Sequence, residues 1–289
     1  MTTANPLSTG IPVEEPPRGL VHRRTRRHGA LHAQSATGLG FVMLFFSVIV
    51  LLPLSAVLVK TTTGGWSGYW RTITNDQTLA ALRLTITQAL LVTLVNVVMG
   101  TLIAWVLVRD RFRGKRILEV LIDVPFALPT IVAGLVLLAL YGPKSPIGID
   151  VANTQRAVFL ALAFVTLPFV VRTVQPVLEE IDAEVEEAAA TLGASRLTTF
   201  RRIILPSLLP AITSGAAMSF ARAISEYGSL VLLSGNLALR TEVASVRILT
   251  YVENGNDAAA ASVATTLLAI ALVVIVSLDL LQRRVARRG

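Results

Sequence analysis

Two charged residues, Arg222 and Glu226, interrupt the apolar run of residues 203–234. Charge in a low-dielectric segment is costly, so such a residue marks a function or demands a partner. Arginine presents a planar fork of donors that matches an oxyanion, and a glutamate four residues on falls on the same helical face. Ser219, Ser225 and Ser229 surround the pair with small hydroxyl donors, and Gly228 allows close helix approach. Two readings stand side by side: an ion pair that neutralises itself between helices, or a positive point on the path of an anion. Other reactive types are sparse. There is no cysteine, hence no disulfide, thiolate metal site or thiolate nucleophile. His22, His28 and His32 all lie in the polar N-terminal stretch, which reads as a solvated basic tail rather than a metal site. No G-x-x-x-x-G-K-[ST], H-E-x-x-H or G-x-S-x-G occurs, and Gly114-Lys115-Arg116 lacks both the first glycine and the hydroxyl of a phosphate loop. No catalytic residue, metal site or resident cofactor is expected.

A second group of residues stands out by polarity. Residues 187–206, EAAATLGASRLTTFRRIILP, lie between two apolar runs. From 182 to 192 good helix formers dominate, with Val185, Ala188, Ala189 and Leu192 along one face and Glu184, Glu187 and Thr191 along another. Glu179, Glu180, Asp182 and Glu184 crowd the start, where the helix dipole favours negative charge. Gly193 supplies the permissive backbone at which one helix ends and another leaves at an angle. The spacing predicts a short helix–turn–helix knob at the membrane surface.

These residues are positioned by an oily chain. Of 289 residues, 53% are hydrophobic and 15% charged, and the mean hydropathy is +0.67. That composition points to a polytopic membrane protein. The net charge of +8 falls in clusters between apolar runs rather than on one surface, which argues against nucleic acid. Residues 1–36 read as a disordered tail. Residues 37–289 read as one membrane domain with spans at about 39–59, 82–108, 117–141, 157–178, 203–234 and 258–281, and with the knob at 182–202. Residues 60–80, with Trp66, Tyr69 and Trp70, are expected to form an interfacial loop. Basic clusters at 23–27, 109–116, 196–202 and 283–288 share one side, so both termini and the knob are expected in the cytoplasm. Pro125, Pro129, Pro168, Pro176, Pro206 and Pro210 predict kinked spans. Arg172 is expected to snorkel to the cytoplasmic interface, and Asp123 to pair with a basic residue.

The knob resembles the coupling loop of ABC transporter permeases, Glu-Ala-Ala-x3-Gly-x9-Ile-x-Leu-Pro. Glu187, Ala188, Ala189, Gly193, Ile203, Leu205 and Pro206 match every fixed position and both spacings. Residues 123–135, 167–180 and 220–236 are similar to sulfate/thiosulfate permeases of the T type, although Ser225 and Tyr227 stand where that family commonly has Gly and Phe. The resemblance implies an all-α type I importer permease with six transmembrane helices, in the bacterial plasma membrane. It implies a second, non-identical permease, two cytoplasmic ATPase subunits that bind the ATP and Mg, and an external anion-binding protein. Molybdate or another oxyanion, or a secondary transporter without ATPase, are the alternatives.

Overall fold

Strong helix formers, apolar stripes and well-placed caps give a chain that is helical wherever it is regular. The computed structural model describes residues 33–286, and no strand occurs among them. Most of the expected tail lies outside the described residues. The chain divides into two compact units at Leu51. In the first, α1 (Ala33–Phe46) runs into a π-helical turn, Ser47–Leu51, with no buried residue. The second contains everything else.

It begins with α2 (Leu52–Thr63) and α3 (Gly65–Ile73). Residues 60–80 are therefore mostly helical, not the expected loop. Trp66, Tyr69 and Trp70 stack along α3 with ring centroids 5.5–5.7 Å apart, and Tyr69 shares a hydroxyl hydrogen bond with Thr266. Asn75 then caps α4 (Asp76–Arg109) by accepting from the Gln77 and Thr78 amides. Along α4 the buried positions Thr78, Leu82, Thr85, Ala89, Val92, Asn96, Gly100, Ala104 and Leu107 recur at helical spacing, while Leu90, Leu91, Leu94, Val98 and Leu102 are exposed.

The expected third span departs from a single helix. It consists of α5 (Lys115–Ala127) and α6 (Thr130–Tyr141), bent by 117° at Leu128–Pro129. Proline disfavours helix at the residue before it, and Leu128 is extended at ψ 135°. Next come α7 (Gln155–Glu180), α8 (Ala183–Thr191) and α9 (Arg196–Thr199). A π-helical turn, Phe200–Ile204, leads into α10 (Leu205–Ile224). The expected fifth span is also interrupted: α10 ends at Ile224 and a separate α11 (Gly228–Leu233) follows. After α12 (Ala244–Glu253) the chain closes with α13 (Asp257–Ala286). Among the described residues five helical stretches are long and apolar enough to cross a membrane, and six if the bent pair counts as one.

The core forms two clusters that fix the helix directions. Leu82, Ala89 and Val92 of α4 pack with Ala157, Val158 and Leu162 of α7 and with Phe220, Ala223 and Ile224 of α10. In the other cluster, Ala104 and Leu107 meet Val170, Val174 and Leu178, together with Ile204 and Leu208. So α4 and α7 run parallel and α10 runs against both. Asn96 bridges the buried seam by donating to Thr166 Oγ1 at 2.8 Å, which satisfies two polar groups that would otherwise be costly there.

Candidate functional site

Helix α8 is built to end abruptly. Asp182 caps its start by accepting from the Glu184 amide, and Glu184 and Glu186 sit in the first turn, where the dipole favours them. At the other end the Gly193 amide donates to Ala190 O and the Ala194 amide to Ala189 O, at 2.9 and 3.0 Å. This is a Schellman closure, and it requires the left-handed conformation that Gly193 adopts at φ +82°. Ser195 then caps α9 by accepting from the Thr198 amide. Of the apolar face expected along α8, only Ala189 is buried. Val185 is 46% exposed and Leu192 88% exposed, the latter a large apolar side chain presented outward at the C-terminal end of α8. Glu187, Ala188 and Gly193 are exposed, while Ile203, Leu205 and Pro206 are half-buried where α10 begins.

Two contacts join this knob to the end of α4. Arg109 forms an ion pair with Glu186, and its guanidinium lies 5.5 Å from the centroid of Trp105. Trp105 in turn meets Phe200 edge-on at 5.6 Å. Glu186 and Trp105 belong to no motif, and sequence pattern gives no signal for their pairing.

Arg222 and Glu226 are brought together, but across a helix end. Arg222 Nη2 lies 2.6 Å from Glu226 Oε2, close yet off-axis, so the contact is an ion pair rather than an aligned hydrogen bond. The Glu226 side chain is fully buried, whereas that of Arg222 is 29% exposed. The other carboxylate oxygen, Oε1, accepts from both the Ser229 amide and the Ser229 hydroxyl at 2.9 Å. Glu226 therefore holds the first turn of α11 in place, and its backbone carbonyl accepts from Ser245 Oγ of α12 at 2.7 Å. The serines do not converge on Arg222 as expected. Ser225 donates to its own helix at Ala221 O and Arg222 O, Ser229 serves Glu226, and Ser219 Oγ is buried without a hydrogen-bond partner. Ser225, the C-cap of α10, and Met218 are nevertheless exposed beside Arg222, three and four residues away, on an open face.

Arg172 does not snorkel freely. Its fork grips Asp123, with Nε to Oδ1 at 2.8 Å, and it donates further to Gln175 Oε1 and to the Glu119 carbonyl. Gln175 passes the chain on to Glu179. A carboxylate one helix away satisfies the guanidinium more completely than an excursion to water.

Comparison with known proteins decides the family. Residues 96–288, about two thirds of the chain, match the model for the binding-protein-dependent transport system inner membrane component. The chain belongs to that family. The permease is 44% identical over 257 residues to the sulfate transport system permease protein CysT of Salmonella typhimurium, covering 86% of this chain and 93% of that one. The protein of the same name from Escherichia coli is 43% identical over the same share of each chain. Among solved structures, a bacterial alginate ABC transporter in complex with an alginate pentasaccharide-bound periplasmic protein superposes with TM-score 0.72 at 17% identity. It covers 86% of the permease and 94% of its own chain. The MetNI methionine ABC transporter follows at TM-score 0.53 and 18% identity, covering 74% of the permease and 98% of its own chain. These two likenesses establish the importer-permease fold, all-α, in which five to six of the helices among the described residues are long and apolar enough to cross a membrane.

Proposed function

We propose that the permease is one membrane subunit of an ATP-driven sulfate/thiosulfate importer. What carries the substrate class is the 44% and 43% identity, over most of the chain, to proteins named as sulfate transport permeases. The coupling reading rests on the knob: Glu187, Ala188 and Gly193 are exposed on a sharply closed helix, Ala189 of that helix is buried, and Ile203, Leu205 and Pro206 carry the chain on into α10. A cytoplasmic ATPase seated on α8 would push on Leu192 and Val185 and move α10 and α4 together through Phe200, Trp105 and the Arg109–Glu186 pair. ATP and Mg belong to that partner. The full machine has a second, non-identical permease, two ATPase subunits and an external anion-binding protein, with both termini of this chain in the cytoplasm. The dianion passes Arg222, whose exposed side faces the open flank of α10, while Glu226 stays fixed by Ser229 and keeps the arginine neutralised between passages.

The test is uptake of radiolabelled sulfate into vesicles containing the permease with its partner permease, ATPase and binding protein. Uptake that requires ATP, is blocked by vanadate and is competed by thiosulfate is the expected result. Vanadate-insensitive uptake would point to a secondary transporter, and stronger competition by molybdate than by thiosulfate would reassign the cargo.

A further inference from the structure

At the end of α4 remote from the knob, two arginines that pair with no described residue meet at one cavity. The cavity is about 190 Å³ and is lined by Arg83, Thr87, Gln155, Leu239, Arg240 and Glu242 among others. Arg83 comes from α4 and Arg240 from the turn between α11 and α12. Both are exposed, and neither guanidinium has an ion pair or hydrogen bond to a described residue.

The backbone around Arg240 is held in place. Gln155 Nε2 donates to the Arg240 carbonyl at 3.2 Å, and the Arg240 amide donates to Leu237 O at 3.1 Å. Leu239 adopts a left-handed conformation at φ +64°, which is strained for a non-glycine residue and persists only where the surroundings enforce it. The one carboxylate at the cavity is screened: Glu242 is 7% exposed, and its Oε1 lies 3.8 Å from Arg247 Nη1.

Depth identifies what such a pair of guanidiniums would meet. At 1.5 Å per residue, Arg83 and Arg109 lie about 39 Å apart along α4. That matches a bilayer measured between its headgroup layers, about 40 Å, rather than its hydrocarbon core of about 30 Å. Between them, Leu90, Leu91 and Leu94 are exposed on the face that carries Arg83 and Thr87. A charged cavity at headgroup level thus stands above an apolar stripe at chain level. Guanidinium forks match phosphate oxygens bidentately, and the cavity has room for a phosphate group with a few waters of about 30 Å³ each.

We propose that Arg83 and Arg240 form a binding site for a tetrahedral oxyanion at the membrane surface, occupied by the headgroup phosphate of a lipid whose acyl chain lies along Leu90, Leu91 and Leu94.

The experiment uses the purified permease with its co-purifying subunits in detergent, titrated with phosphatidylglycerol and read by native mass spectrometry. Arg83→Gln with Arg240→Gln is expected to weaken binding of the first lipid at least tenfold, and inorganic sulfate at the same concentration is expected not to displace it. Unchanged lipid binding in the double variant would overturn the site. Displacement by sulfate that depends on the two arginines would overturn the lipid as occupant and assign the free anion. Should the double variant fail to assemble, Arg83→Lys with Arg240→Lys keeps the charge and removes the forks. A several-fold loss is expected there too, and none would count against the proposal.

Discussion

A side chain at Gly193 would find open space, since nothing lies within 4 Å of where its Cβ would be. Its backbone alone sets the requirement: φ +82° costs an ordinary residue about 1–2 kcal/mol, and asparagine less. Gly193→Asn should therefore keep most of the ATPase bound, whereas Gly193→Val should lose both ATPase co-purification and substrate-stimulated turnover. Wild-type transport by the valine variant would remove the hinge from the mechanism. The Arg222–Glu226 pair calls for a different design. In Glu226→Gln the amide oxygen can still accept from the Ser229 amide, so α11 keeps its anchor and Arg222 is left unneutralised. Arg222→Gln with Glu226→Gln is expected to assemble and hydrolyse ATP yet to import sulfate slowly, and full recovery of uptake would make the pair purely structural. That these two residues meet was legible because i,i+4 spacing is a local property. That Glu226 caps α11 was not, because a glutamate three residues before a serine reads the same inside a helix as at its start. The hydroxyl directions of Ser219, Ser225 and Ser229 depend on which backbone carbonyls lie within reach, which residue type does not encode.

The knob is held to α4 by a partly exposed ion pair from α8 and by one aromatic edge contact from Phe200, in the turn that leads into α10. Such a pair contributes roughly 0–1 kcal/mol, and an aromatic pair about 0.5–1.5 kcal/mol. Glu186→Gln with Trp105→Ala should thus leave the permease folded and the ATPase bound, while raising the ATP consumed per sulfate imported. An unchanged ratio would show that force travels through α10 alone. Just before α12, burial pushes the Glu242 carboxyl above the usual carboxylate range, and Arg247 opposes this only in part. A raised acid pKa means that the folded state holds the proton more tightly. The resulting stability is present below the usual carboxylate value and is lost as pH rises through the raised one. Thermal unfolding of the wild type should show this decline across that window, and Glu242→Gln should flatten it. An identical pH profile in both would contradict the assignment. Helices α3 and α12 escaped the sequence reading because they are short and mix aromatic, charged and apolar residues, so hydropathy registers them as connecting loops. At Leu128–Pro129 the proline predicts a kink but not a bend of 117°, because apolar residues continue straight through and a proline's presence does not set the angle of its break.

Because the chain has no cysteine, single cysteines report topology directly. Cysteine at Leu192 should label only from the side bearing the ATPase, and cysteine at Trp66 only from the other; labelling of both from one side would invert the proposed orientation. Deleting residues 2–18 should leave uptake intact, since that composition builds no core, and its loss in an inserted, assembled protein would give the tail a role. That the chain is all-helical, with several apolar helices long enough to cross a membrane, could be read early because a bilayer imposes a minimum apolar length on every crossing. How the segments pack could not, because close approach depends on which small residues happen to face one another. One such approach has a mechanical result. A Cβ on Gly134 would fall 2.7 Å from the Ser229 carbonyl oxygen, and one on Gly228 2.8 Å from the Ile131 amide nitrogen, so α6 and α11 touch backbone to backbone. Each of these helices follows directly on a break, at Leu128–Pro129 and at Ser225–Tyr227. Two arms that share one welded joint cannot swing separately: they form a linkage, in which a rotation at either break is transmitted to the other. Spin labels at Leu135 and Leu232 should accordingly keep a constant separation throughout the ATP cycle, whichever way the pore is open.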